Sequence, residues 1–151
     1  MSRRPSSAGF TLIELSVLLV LFALLSAMAV PSLSSTLAHA RARAALDRLA
    51  GDLFFARAVA ARSGRPVYLR FVPATGCADE YLLVGQDDTV LRRVRTGREG
   101  SGVCLTSNVS RAMGVNSRGM LIGSPRTLHA RSGRAADSAT VSMVGRIYRW
   151  P

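Results

Sequence analysis

The chain contains no lysine, two cysteines, two histidines and one tryptophan, and sets 9 acidic residues against 20 basic ones. Each shortage removes a class of reading. The cysteines form no C-x-x-C pair and the histidines, His39 and His129, stand apart in sequence. Zinc-module spacings are therefore missing, and neither a metal nor another cofactor is expected. No G-x-S-x-G nucleophile elbow occurs, and Gly100-Ser101-Gly102 is too short to cradle a phosphate. No catalytic constellation is expected, and His129 between Leu128 and Ala130 reads as an ordinary strand residue. Because lysine is missing, every cation is arginine, a choice that codon usage in a GC-rich genome accounts for. The excess of basic over acidic residues does not follow from that choice and persists when Arg3 and Arg4 are set aside. A formal charge of +11 attracts anionic lipid or nucleic acid without naming either.

What the sequence does have is a long apolar run. After a polar leader, Gly9 opens GFTLIELSVLLVLFALLSAMAVP, which ends at Pro31. About twenty mostly apolar residues are enough to cross a bilayer core as a helix. Glu14 is the anomaly near their start. An ionised carboxylate at the end of such a helix costs on the order of 2–3 kcal/mol, so it calls for a partner. At 151 residues and 48% hydrophobic, the chain accommodates one anchor and one small domain, since roughly 110 residues remain beyond the anchor for a single modest core.

Three ordinary readings of the N-terminus compete. Ala27-Met28-Ala29 supplies the A-x-A site of a secretory signal, but Glu14 interrupts its apolar region and the run is longer than usual. A plain membrane anchor leaves Gly9-Phe10 and Glu14 unexplained. Arg3-Arg4 is followed by Pro5-Ser6, which fits a twin-arginine signal poorly. Gly9, Phe10, Thr11, Leu12, Ile13, Glu14 and Leu15, in that order after a polar leader, resemble the type IV prepilin signal. The resemblance implies that an inner-membrane prepilin peptidase cuts between Gly9 and Phe10 and methylates the new terminus. It further implies that Glu14 pairs with the terminal amine of a neighbouring subunit during assembly. A carboxylate and an ammonium attract far more strongly in low dielectric than in water, which gives that pairing its physical sense.

The expected organisation is a leader over 1–9, a transmembrane and assembly helix over 10–31, an amphipathic helix over 32–64 and a β-rich globular part over 65–151. Pro31 predicts a kink rather than a stop. Ala42, Leu46, Leu49, Leu53, Ala56 and Ala60 recur at intervals of three and four and form one apolar stripe that would pack on a sheet. Ser63-Gly64, with Pro66 beyond, ends the helix. Short β segments follow: Val67 to Val72, Tyr81 to Val84, Val90 to Val94, Val103 to Leu105 and Val109 to Met113. Met120 to Ile122, Thr127 to Ala130, Ala139 to Met143 and Arg146 to Trp150 complete them, and Gln86-Asp87-Asp88 reads as a hairpin turn. The fold class is α+β: a long kinked N-terminal helix packed on a C-terminal all-β domain.

Phe55-Ala56-Arg57, Ala60-Ala61 and Arg65-Pro66-Val67 resemble the helix end and first strand of the GspH/FimT branch of pseudopilins and minor pilins. The Gly119 turn, the segment from Arg126 to His129 and the closing Gly145-Arg146-Ile147 resemble its C-terminal half. Val59 departs from the pattern, where many relatives carry glutamate. The resemblance implies a pilin-like fold and a minor pseudopilin of a type II secretion system near the tip of a periplasmic filament. Such a chain is a single-pass inner-membrane protein with its globular part in the periplasm, and its partners are other pseudopilins or pilins, the peptidase and an inner-membrane assembly platform. The alternative is a type IV pilus minor pilin that binds DNA during uptake. One subset of the family does so through a C-terminal Gly-Arg-x-Arg motif, whereas this chain has Gly145-Arg146-Ile147-Tyr148-Arg149. On a strand, positions three apart lie on opposite faces, so Arg146 and Arg149 point apart unless a bulge intervenes. Arg131 and Arg134 are candidates to join them in a basic patch. Cys77 and Cys104, placed outside the cytoplasm, are expected to form a disulfide.

Overall fold

A computed structural model describes residues 10–73, 75–97 and 99–150, apart from the side chains of residues 28–31 and 150. Helix α1 runs from Leu12 to Ser63, and its helical assignment continues through Pro31. Two compact units divide the chain after Ser35. In the first unit the helix is apolar and exposed: an 18-residue stretch has mean hydropathy 2.5 and none of it is buried.

In the second unit, α1 contributes Ala42, Leu46, Leu49, Leu53, Ala56 and Ala60, all buried, to the core. These are the residues of the three-four stripe, because side chains at that spacing share one helix face. Gly64 terminates the helix with φ of 67°, a left-handed conformation that a glycine adopts without the Cβ penalty.

Among the described residues nine strands follow, all paired antiparallel. A five-stranded sheet has the order β3-β2-β1-β5-β6 and a four-stranded sheet the order β4-β7-β8-β9. Their ranges are β1 Val67–Val72, β2 Glu80–Gly85, β3 Val90–Arg95, β4 Cys104–Ser107, β5 Met113–Val115, β6 Leu121–Ile122, β7 Arg126–Ser132, β8 Ala135–Val141 and β9 Ile147–Trp150. Alternation places Val67 and Leu69 of β1 inward, along with Leu128 and Ala130 of β7 and Ala139 and Val141 of β8. With Tyr81, Leu83, Leu105 and Met113 they meet the helix stripe in one core.

Two expected strands moved. The segment from Val109 to Met113 is extended only from Met113 onward. Before it, the buried Arg126 side chain donates to the carbonyls of Arg111, Ala112 (3.0 Å) and Val109 (3.5 Å), so those oxygens are spent on a guanidinium and not on a neighbouring strand. Strand β8 begins at Ala135, ahead of the expected Ala139, because Gly133-Arg134 makes a two-residue hairpin closed by the Ser132–Ala135 pair, with Gly133 at φ of 58°. At the other hairpin Asp88 takes φ of 59° and its N–H donates to the Gly85 carbonyl.

Cys77 and Cys104 are joined by a disulfide with Cα atoms 5.2 Å apart, and the adjacent Ala78–Leu105 bridge ties the β1–β2 connection to β4 of the other sheet. Closing a 27-residue separation constrains the unfolded chain by about 3 kcal/mol in the chain-entropy account. The double variant Cys77→Ser/Cys104→Ser should lose stability of about that size in denaturant unfolding of the full chain in detergent. An unchanged midpoint would mean the cross-link contributes nothing.

Candidate functional site

The start of α1 is built by a reciprocal cap. The Glu14 N–H donates to Thr11 Oγ1 at 3.3 Å, while the Thr11 N–H donates to Glu14 Oε2 at 3.5 Å. This is the capping-box arrangement T-x-x-E, which sequence reasoning passed over although Thr11 and Glu14 stand at the required spacing. It holds the carboxylate at the positive end of the helix. Among the described residues, one long hydrogen bond reaches that carboxylate, which has acceptor capacity for more. Phe10 precedes it and is 74% exposed. Gly9, the other half of the expected cleavage junction, lies outside the described residues.

The four candidate DNA-binding arginines do not gather into one patch. Arg131 is exposed on β7, in register with Cys104 and Ala136 on the outer face of its sheet, and lines a shallow groove with Arg134, His129 and Thr106. Arg146 is exposed in the turn before β9, outside the strand. Arg149, in register with the buried Ala139, is itself exposed and forms a surface ion pair with Asp47 of α1. Arg131 and Arg149 therefore serve opposite faces of one sheet.

Two clusters that sequence reasoning missed fix the helix to the sheets. Asp52, 2% exposed, sits among the apolar positions of the stripe. Its Oδ2 accepts the Tyr81 hydroxyl at 2.6 Å, and Arg92 of β3 pairs with its Oδ1. The Arg92 guanidinium also stacks on Phe55, 5.1 Å from the ring centre. A lone acid on an apolar face was the signal, since a buried carboxylate demands partners. Burial, then the hydrogen bond to Asp52 and the nearby Asp52 charge, push the Tyr81 hydroxyl pKa far upward.

In the second cluster, Arg57 stacks on Phe54 at 5.2 Å and donates to the Gly145 carbonyl. Gly145 has φ of 82°, and a Cβ there would strike the Arg57 guanidinium and approach the Gly119 carbonyl oxygen to 3.0 Å. Three residues that carried the family resemblance, Arg57, Gly119 and Gly145, thus converge in space from positions far apart in sequence. Burial lowers the guanidinium pKa of Arg57, as it does for Arg126.

With that geometry established, comparison with known proteins is direct. The profile of the Type II transport protein GspH family matches residues 45–145, and that of the prokaryotic N-terminal methylation motif matches residues 4–30. The chain belongs to the GspH family. Among solved structures it is similar to the type IV minor pilin FimU of Pseudomonas aeruginosa. That match has TM-score 0.57 and 17% identity and covers 72% of this chain and 92% of that one. It is also similar to the minor pseudopilin EpsH from the type 2 secretion system of Vibrio cholerae, with TM-score 0.54, 15% identity, and 73% and 96% covered. At such identities the likeness is one of fold, a long helix on an antiparallel β domain. A search of curated proteins returned no match. The family consists of structural pilin and pseudopilin subunits that assemble with other pilins into filaments, and among the described residues this chain has one helix long and apolar enough to cross a membrane.

The Asp52 cluster has a pH signature. Tyr81 has its pKa raised on folding, so its contribution is intact below the ordinary tyrosine value of about 10 and is lost as pH rises beyond it. Stability of the full chain should fall above pH 10 with an extra slope of about 1.4 kcal/mol per pH unit relative to Tyr81→Phe. Identical slopes in the two proteins, measured by denaturant unfolding at several pH values, would show that Tyr81 is not coupled to folding.

Proposed function

We propose that this GspH-family chain is an H-like minor pseudopilin of a type II secretion system, placed near the tip of a short periplasmic filament. Prepilin peptidase removes residues 1–9 by cutting after Gly9, and the new Phe10 terminus is methylated. Residues 10–31 anchor the subunit in the inner membrane and enter the filament, and the β-rich part from 65 onward lies in the periplasm. Supporting this is one observation above all: Glu14 is the only Asp, Glu, Lys or Arg between Phe10 and Ala40, and it opens a helix whose apolar side chains are exposed. A neighbouring subunit's terminal amine would neutralise it, so that leaving the membrane and joining the polymer become one step.

Glu14→Ala should leave the leader cleaved but keep the subunit out of the filament fraction, and recovery at the wild-type level would refute the pairing. Gly9→Val should retain the leader, which N-terminal sequencing reads directly; a Phe10 terminus in that variant would exclude recognition of Gly9. Deleting the gene should deplete exported proteins from the culture medium. Loss of surface pili or DNA uptake with export intact would assign the chain to a pilus instead.

A further inference from the structure

We infer that the end of the β domain at the β7–β8 hairpin is a docking surface for the anionic headgroups of the bilayer that holds α1, an inference that rests on the membrane-anchor reading above. Two shallow grooves lie on either side of Ala136, the exposed second residue of β8. One is lined by His129, Arg131 and Arg134, the other by His39 and Arg43 of α1. Both histidines of the chain and three of its arginines, from positions far apart in sequence, thus share one end of the domain.

These cations have no acidic partner. Arg43, Arg131 and Arg134 are exposed and form no ion pair among the described residues, whereas Arg70, Arg92, Arg93, Arg95 and Arg149 each hold a carboxylate. Asp137 lines the second groove and is, among the described residues, the one acid in either. Its Oδ1 accepts the Ser138 N–H at 2.8 Å. Three guanidiniums against one carboxylate leave the surface positive, and a concave surface of one sign gathers counter-ions.

Connectivity selects the anion. The compact unit that carries the grooves begins at Thr36, five residues beyond the Pro31 that ends the apolar run. Even fully extended, that length of chain spans only about 17 Å, so Thr36 stays close to the bilayer at any angle between the domain and the membrane. Thr36 lines the same groove as Arg43 and Ala136. Basic groups this near an anionic leaflet bind it, and the attraction extends about a Debye length, roughly 8 Å at physiological salt. Arginine adds bidentate hydrogen bonds to a phosphate. Nucleic acid fits less well, because among the described residues no aromatic side chain lines either groove to stack a base. The contact holds the domain against the leaflet before assembly and is released when the subunit leaves the bilayer.

The test uses the full chain in nanodiscs of phosphatidylcholine with a minority of phosphatidylglycerol. With Ala136 replaced by photoreactive p-benzoylphenylalanine, illumination should give adducts enriched in phosphatidylglycerol several-fold over its share of the lipid. Their yield should be several-fold above that of the same group at the exposed Met143, beyond the far end of β8. Combining Arg43→Gln, Arg131→Gln and Arg134→Gln should abolish the enrichment and keep the wild-type unfolding temperature. No enrichment, a yield equal to that at Met143, or an unchanged enrichment in the triple variant would overturn the surface. So would loss of the adducts on adding inorganic phosphate or a short DNA duplex at constant ionic strength, which would assign the grooves to a soluble phosphate or to nucleic acid. A chain that enters no nanodisc removes the anchor reading and this surface together, whereas one that enters and shows no enrichment removes only the surface.

Discussion

The first half of α1 is apolar and, among the described residues, exposed, a surface that is costly to keep in water. From Leu12 to Leu25 the apolar side chains of α1 are exposed, and at about 25 cal/mol per Å² of apolar surface their removal from water is a large driving force. Lipid or other helices must take them in. Two features sit beside this demand: one carboxylate at the helix start and a cap that orients it.

The β domain answers a different demand. About 110 residues give a small core, and a single helix face must close two sheets at once. Small residues such as Ala42, Ala45, Ala56 and Ala60 let the sheets approach the helix, while Leu46, Leu49 and Leu53 fill the space between them. Into this apolar interface the chain introduces Asp52, Arg57 and Arg126, each buried or partly buried and each tied to a group from another element. Such contacts are directional where apolar packing is not. They explain how short strands, several of them two to four residues long, keep one register.

Much of this was legible in the sequence, for local reasons. The stripe from Ala42 to Ala60 and the stop at Ser63-Gly64 depend on spacing and on glycine alone, and both stand in the structure as read. The disulfide followed from compartment and separation. What spacing cannot convey is which distant group a lone polar side chain will meet. Spacing puts Asp52 on the apolar face without showing that Tyr81 and Arg92 meet it, and Val109 reads as a strand residue until Arg126 takes its neighbours' carbonyls. Likewise, arginines counted as one basic patch separate once the register of β7, β8 and β9 assigns them to faces, since a one-residue difference inverts the side.

The cross-link between Cys77 and Cys104 encloses the whole of β2 and β3 together with the exposed turns at Gln86 to Asp88 and Gly100 to Gly102. A protease that severs the backbone at either turn therefore produces two fragments still held by sulfur. The antiparallel pairing of β1 with β5, which lie on different fragments after either cut, keeps the two pieces together. A nicked molecule would migrate as intact until a reductant is added, so damage at these turns stays hidden and the subunit keeps its shape.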